Sequence, residues 1–151
     1  MAQTIATREG YGETLVELVK EGYDIMAVEA DLSGSTTTKK LQDLDPDRFV
    51  NVGIAEQNMI GVAAGLSLAG KTVFTGSFAA FGTGRCYDQI RNTVCYADLD
   101  VKVAPTHAGI TVGPDGGSHQ MLEDVSLMRG LPGMNVLVPA DYWAAKQAVR
   151  I

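Results

Sequence analysis

The fold is decided by the stretch DIMAVEA, residues 24–30. It is short, rich in apolar residues and followed by a polar segment, a pattern typical of a buried β-strand. An amphipathic helix is predicted before it at residues 7–20. The polar segment, residues 31–40, is predicted to be a loop at the carboxyl end of the strand. Open α/β sheets bind their ligands at that end.

The same alternation of helix and strand continues along the chain. Further strands are predicted at residues 49–52, 71–75, 101–105 and 135–138, and further helices at 55–69, 85–97, 121–129 and 141–151. Such alternation predicts an α/β fold of three layers, with helices on both faces of a mainly parallel sheet of about six strands. The 151 residues are enough for one domain with a real core, so we expect residues 1–151 to form a single domain. The last helical pattern has no cap after Ile151, as if more protein followed.

Composition excludes several classes of protein. The net charge is −6 and the pI is near 4.8, which argues against nucleic acid as a partner. The longest membrane-like run, residues 59–69, has 11 residues, whereas a span needs roughly 20, so no membrane contact is expected. There is no secretory signal, so we expect a cytoplasmic location. Cys86 and Cys95 are accordingly expected to be reduced thiols.

One familiar motif is present in the wrong context. Residues 65–72 match the phosphate-binding pattern G-x-x-x-x-G-K-T. That pattern binds phosphate when a strand precedes the glycines and a helix follows them. Here the predicted helix comes first and the strand second, so we interpret the glycines as a helix end and a turn. An ATP-binding domain remains the alternative that magnesium-dependent ATP binding would revive.

A single carboxylate stands in the first turn of an otherwise uncharged predicted helix. It is Glu56, and it can either stabilise the helix dipole or take part in chemistry. Two aromatic rings, Phe78 and Phe81, lie in the loop that follows the strand at residues 71–75. They can stack on a flat ligand or pack in the core. The sequence alone leaves both alternatives open for all three residues.

A glycine-rich loop at residues 107–119 contains both histidines of the chain, His107 and His119, together with Asp115. Loops of this length are uncommon and tend to be functional. Eleven residues separate the histidines, and they do not form a compact ligand pair, so no metal site is expected here. Their position in one loop favours proton transfer, or hydrogen bonding to a polar substrate.

Several linked motifs occur in order along nearly the whole chain. They are Gly53-Ile54-Ala55-Glu56-Gln57, the loop of residues 76–81, Thr106-His107, residues 113–120, Leu131-Pro132-Gly133 and Pro139-Ala140-Asp141. Together they resemble the pyrimidine-binding domain of transketolase. The resemblance is greatest to the separate carboxyl-terminal subunit of transketolases that are divided between two chains.

This resemblance implies a cofactor and three residues that bind it. The cofactor is thiamine diphosphate, of which this chain would bind only the pyrimidine end. Glu56 matches the glutamate that hydrogen-bonds N1' of the aminopyrimidine, so that the 4'-imino group can take the proton from C2 of the thiazolium ring. Phe81 matches the residue that stacks on the pyrimidine, and Phe78 matches one that lines its pocket.

The resemblance also implies a sugar phosphate substrate. His107 and His119 match catalytic residues that contact the hydroxyls and carbonyl of the donor, and Asp115 matches the residue that binds the C2 hydroxyl. Arg8 matches an arginine that binds the phosphate. Asp31 matches an aspartate near the cofactor and the subunit contact.

The absence of one motif implies a partner. In this family a different domain holds the diphosphate and its Mg²⁺ through a G-D-G motif, which this sequence lacks. We therefore expect a diphosphate-binding partner subunit that holds the Mg²⁺, no activity from this chain alone, and pairing of the chain as a homodimer. Alternatives are a subunit of deoxyxylulose-phosphate synthase or of a 2-oxo acid dehydrogenase, which would share Glu56, or a noncatalytic assembly subunit.

Overall fold

Four parallel strands form the sheet of the computed structural model, which describes residues 4–151. In chain order they are β1 (Ile25–Glu29), β2 (Phe49–Asn51), β3 (Thr72–Gly76) and β4 (Val101–Val103). Their spatial order is β2-β1-β3-β4, and every pairing is parallel. The predicted α/β class and parallel sheet are confirmed, although the described chain has four strands and not about six.

Seven α-helices accompany the sheet in the described part of the chain. They are α1 (Thr7–Lys20), α2 (Ser33–Thr36), α3 (Lys39–Leu44), α4 (Glu56–Leu68), α5 (Tyr87–Gln89), α6 (Asp124–Arg129) and α7 (Tyr142–Val149). A 3₁₀ turn spans Pro46–Arg48, and α5 lies between the π-helical segments Ala80–Arg85 and Ile90–Cys95. The predicted bounds of α1 are confirmed, and those of α4 and α7 agree within two residues. None of the helices between residues 4 and 151 has the length and hydropathy of a membrane span.

The two faces of the sheet bury separate apolar clusters, which gives the three layers that the sequence predicts. Side chains of a strand alternate between faces. From β1, Ile25 and Ala27 join a cluster with Tyr11 and Leu15 of α1 and with Phe74 of β3. A larger cluster on the opposite face includes Val28, Met59, Ile60, Ala63, Val73, Ile90 and Met128. Helices α1 and α7 therefore cover one face, and α4, the segment around Ile90 and α6 cover the other.

Residues 135–138, predicted as a strand, form no strand in the described chain. The apolar pattern there is real, because Val136 packs against the larger core cluster while Leu137 is 56% exposed. However, this segment runs beside Val125 and Arg129 of α6, and it makes no ladder with a neighbouring strand. A strand requires backbone hydrogen bonds to a partner, and alternating side chains do not supply them.

Two further predictions are corrected, those for residues 85–97 and for residues 31–40. The helix expected at residues 85–97 begins earlier, at Ala80, because the N–H of Gly82 already donates to the carbonyl of Phe78 at 2.7 Å. The loop expected at residues 31–40 contains α2 and the start of α3. Its threonines turn inward and are buried, so these polar side chains serve the fold.

The phosphate-binding motif at residues 65–72 has the order that the sequence indicated. Helix α4 ends at Leu68, Gly70 has a φ of 87°, and β3 begins at Thr72. The backbone N–H groups of this turn therefore lie after the end of a helix and not before the start of one, which phosphate binding requires. Lys71 forms an ion pair with Asp24 at 2.6 Å. Both cysteines are free, as predicted, with Cys86 buried and Cys95 partly buried.

Candidate functional site

Four of the segments predicted to carry function leave the sheet at the same edge, whereas Arg8 lies on α1 before the first strand. Asp31 follows β1, Glu56 follows β2, Phe78 and Phe81 follow β3, and His107 follows β4. Because the strands are parallel, their carboxyl ends lie together. This is the edge at which open α/β sheets bind ligands.

Glu56 is a buried carboxylate at the first residue of α4. Only 2% of its surface is exposed. Its Oε2 atom accepts a hydrogen bond from Nη1 of Arg85 at 2.7 Å, and 45% of the Arg85 side chain is exposed. A carboxylate that only complemented the helix dipole could remain in solvent. This one is buried, and among residues 4–151 its side chain has one hydrogen-bond partner, Arg85.

Arg85 also covers an aromatic ring. Its Cζ atom lies 4.3 Å from the centroid of the Phe81 ring, which is cation–π geometry. The ring of His119 meets Phe81 edge-on, with centroids 4.9 Å apart. The carboxylate of Glu56, the guanidinium and the Phe81 ring thus form one continuous group.

Phe78 connects the group formed by Glu56, Arg85 and Phe81 to His107. Its ring centroid is 4.4 Å from that of His107 and 6.0 Å from that of His119. Phe78 is only 6% exposed, and residues 78 and 106 form an isolated parallel bridge. It therefore packs in the core and lines the histidine cluster as well.

The hydrogen bonds of His107 define its tautomer. Nη1 of Arg8 lies 3.1 Å from Nε2 of His107, and arginine can only donate. Nε2 must therefore accept, which leaves the proton on Nδ1, 2.7 Å from Oγ1 of Thr106. Arg8 is itself held by the carbonyl of Ser35 at 3.2 Å. His107 has a φ of 61°, a left-handed conformation that is uncommon for a residue with a side chain.

Burial lowers the pKa of His107 below its ordinary value of 6.5, and the charge of Arg8 lowers it further, while Asp115 acts in the opposite direction. The imidazole is therefore neutral at pH 7 and protonates at lower pH than in the unfolded chain. Below pH 6.5 the unfolded chain binds more protons at His107 than the folded chain does, because the folded-state pKa is lower. The contribution of His107 to stability is therefore complete above pH 6.5. It is lost progressively as the pH falls below that value.

Replacing Arg8 with Gln is expected to raise the pKa of His107 toward 6.5, because the neighbouring charge is removed while burial remains. An NMR titration of the His107 ring would measure this, with His119→Gln used to assign the two imidazoles. Lys39→Gln is the matched control, since Lys39 pairs with Asp43 on the surface. An unchanged His107 pKa in the Arg8 variant would mean that the guanidinium does not act on the imidazole.

Two predicted residues lie at the margin of this arrangement. Asp31, with a φ of 61°, exchanges hydrogen bonds with the side chain of Asn51. The same Asn51 oxygen accepts from the N–H of Gly53 at 2.9 Å, so it ties Asp31 to the turn that leads to Glu56. Asp115 is exposed and influences His107 only through its charge. A series of contacts, in which Arg85 bridges Glu56 and Phe81, therefore extends to His119, Phe78, His107 and Arg8, but it does not include these two aspartates.

Arg85, Ser35 and Asn51 were not predicted from the sequence. A signal for Arg85 was available, because it lies four residues after Phe81, and residues at that spacing are neighbours on a helix. It could be used only once the helical segment was known to begin at Ala80 and not at Arg85. The bonds made by Ser35 and Asn51 join distant parts of the chain and left no local signal.

Comparison with known proteins identifies the family. The family model described as "Transketolase, pyrimidine binding domain" matches residues 3–151. The chain belongs to this family. The predicted resemblance to transketolase is therefore confirmed.

Relatives of this transketolase-family chain include a transketolase section and a transketolase subunit. A Methanocaldococcus jannaschii protein described as a transketolase C-terminal section is 54% identical over 143 residues, covering 95% of this chain and 45% of the relative. A subunit of a 6-deoxy-6-sulfo-D-fructose transketolase from Clostridium is 45% identical over 134 residues, covering 89% of this chain and 42% of the relative. The chain thus spans less than half the length of these relatives.

A solved structure agrees with the transketolase assignment. It is described as a split-gene transketolase in an inactive β4 tetramer and superposes with a TM-score of 0.85 at 51% identity. The match covers 98% of this chain and 48% of that one. The fold of this chain is therefore that of about half of the split-gene transketolase chain.

Proposed function

We propose that this chain is the pyrimidine-binding half of a thiamine diphosphate-dependent transketolase, which transfers a two-carbon ketol unit between sugar phosphates. The observation that carries the proposal is the buried carboxylate of Glu56, which the guanidinium of Arg85 joins to the ring of Phe81. Membership of the transketolase family supports it.

The residues present fit the pyrimidine end of this cofactor. The ring needs a buried hydrogen-bonding partner and an aromatic surface next to it. Glu56 is 2% exposed, and Phe81 is close enough for one guanidinium to contact both residues at 2.7 and 4.3 Å. A flat, hydrogen-bonding group is thus already accommodated there. An aminopyrimidine is also flat and can share a hydrogen bond with a carboxyl group through its ring nitrogen.

Thiamine diphosphate supplies an acidic C2 proton and an electron sink for the broken carbon–carbon bond. In this proposal Glu56 holds a proton between its carboxylate and N1' of the pyrimidine, and burial excludes water from that contact. Phe81 stacks on the ring and Phe78 supports its pocket. Asp31 lies near the cofactor, where Asn51 holds it against the turn before Glu56.

The histidine cluster is proposed to bind the sugar phosphate. His107 and His119 contact the hydroxyls and carbonyl of the donor, and both act in proton transfer. Asp115 binds the C2 hydroxyl. Arg8 binds the phosphate, a role suited to its planar fork of donors. Its guanidinium is oriented toward the cluster by the Ser35 carbonyl and by Nε2 of His107.

A second chain is proposed to complete the site by holding the diphosphate and its Mg²⁺. Support comes from relatives that are described as a transketolase C-terminal section and as a transketolase subunit. The description of the similar β4 tetramer as inactive supports the proposal that this chain alone is inactive. We further propose that residues 1–151 form one domain, that the chain pairs as a dimer and that it works in the cytoplasm.

Mixing the full-length protein with a diphosphate-binding partner chain tests the proposal. With thiamine diphosphate and Mg²⁺ present, we expect ketol transfer among a panel of ketose and aldose phosphates. Each chain alone is the control and is expected to be inactive. Cofactor binding to the mixture without any transfer would favour a related thiamine diphosphate enzyme, and a lack of both would favour a noncatalytic assembly subunit.

A further inference from the structure

Arg85 occupies two contacts that the proposed cofactor also requires. Its Nη1 atom donates to Oε2 of Glu56 at 2.7 Å, and its guanidinium lies over Phe81 with Cζ 4.3 Å from the ring centroid. We propose that Arg85 is a stand-in for the pyrimidine ring, holding Glu56 and Phe81 until thiamine diphosphate displaces it. This inference rests on the proposed function and adds a competition within that same site.

The competition follows from geometry. A Cζ-to-centroid distance of 4.3 Å is a stacking contact, which leaves no layer for another ring between guanidinium and phenyl. The ring of His119 stands edge-on to Phe81 at 4.9 Å. A pyrimidine that stacks on the face now covered by Arg85 must therefore move the guanidinium aside.

The side chain of Arg85 is free to leave. It is 45% exposed, and its guanidinium has one hydrogen-bond partner, Glu56, among residues 4–151. The main chain stays fixed because it belongs to the helical segment Ala80–Arg85 and its carbonyl accepts from Gln57. Rotation of the side chain returns the guanidinium to water without disturbing the backbone.

The stand-in has a physical purpose. A carboxylate as buried as Glu56 is costly when it has no partner. Arg85 compensates that charge in the protein without cofactor. When the pyrimidine binds, Glu56 and N1' would share a proton taken from water, and this shared proton would replace the hydrogen bond from Arg85. The buried carboxylate therefore has a hydrogen-bonding partner both with and without the cofactor. Cofactor binding is weakened by the free energy of the two Arg85 contacts that are lost.

The distinguishing experiment is calorimetric titration of thiamine diphosphate, with Mg²⁺, into the full-length protein assembled with its partner chain. Arg85→Ala is expected to bind the cofactor about three- to tenfold more tightly than wild type, since the ion pair and cation–π contact no longer compete. Arg91→Ala is the matched control, because Arg91 lies on the next helical segment and its guanidinium contacts Asn92. Its affinity is expected to equal that of wild type.

Thermal melting gives a second readout. Without cofactor, Arg85→Ala is expected to melt below wild type, and the rise in Tm on adding cofactor is expected to be larger than in wild type. Arg85→Gln can keep a hydrogen bond to Glu56, so it serves if the alanine variant does not fold, and it too is expected to bind more tightly.

The outcomes separate this inference from the proposed function. Unchanged or weaker binding in Arg85→Ala and Arg85→Gln, with normal wild-type binding, overturns the stand-in and leaves the proposed function intact. No binding to the wild type or to any variant overturns both. Tighter binding in the Arg85 variants alone supports the competition, because loss of an ordinary cofactor contact would weaken binding.

Discussion

Replacing Glu56 with Ala is expected to lower the rate of ketol transfer at least about 100-fold when the full-length protein is assayed with its partner chain and saturating cofactor. Glu56 is the buried acid at the start of α4, and the proposed proton exchange at N1' requires a carboxyl there. Glu56→Gln is expected to lose nearly as much activity, because an amide keeps the shape of the carboxyl group but does not exchange a proton with N1'. The measurement is kcat for each variant.

The matched control for this prediction is Glu123→Ala. Glu123 also stands at the beginning of a helix, α6, but it is exposed. It is therefore expected to retain full turnover. Unchanged turnover in Glu56→Ala would contradict the enzymatic role and favour an assembly subunit. The fold should survive the change, because the partner that loses its ion pair, Arg85, is half-exposed and can be solvated.

The first strand of the sheet and Glu56 of the site could be predicted from the sequence because the patterns that indicate them are local. The strand at residues 24–30 is recognisable from its own composition, and its observed core, Ile25–Glu29, lies within those bounds. Glu56 stood out as the lone charge in the first turn of an Ala- and Gly-rich helix. Each of these patterns lies within a few residues, where periodicity and turn chemistry act.

What could not be predicted depends on contacts across the chain. The segment at residues 135–138 pairs with none of the four described strands, a fact that its own sequence does not contain. Arg85 reaches Glu56 across 29 positions, and Arg8 reaches His107 across 99. Such pairs become visible only after the sheet brings the loops together.

Glu29, a buried acid outside the proposed chemistry, leaves no room for a side chain at Gly76. Glu29, at the end of β1, is fully buried, and its Oε1 accepts hydrogen bonds from the hydroxyls of Thr36 and of Thr38. Burial raises the pKa of this carboxyl despite the two donors. Its register partner on β3 is Gly76, where an added Cβ would overlap Oε1 of Glu29 and lie 2.5 Å from its Cδ.

Gly76→Ala is therefore expected to lower the free energy of unfolding by about 3 kcal/mol, measured by urea denaturation. The overlap is not easily relieved, because Thr36 and Thr38 hold the carboxyl and the Gly76 carbonyl accepts from Ala30. Gly65→Ala is the control, since an added Cβ there meets nothing within 4 Å on α4, and it is expected to be neutral or slightly stabilising.

A double-mutant cycle locates the cause of the destabilisation. If the clash with Glu29 is responsible, Glu29→Ala and Gly76→Ala together should cost less than the sum of the two single variants, because removing the carboxyl leaves room for the new methyl group. Simple additivity would place the strain elsewhere in the strand. The threonines link the result to the candidate site, since Thr36 directly follows Ser35, whose carbonyl orients Arg8. Movement of Glu29 is therefore expected to disturb the proposed phosphate-binding arginine as well as the sheet.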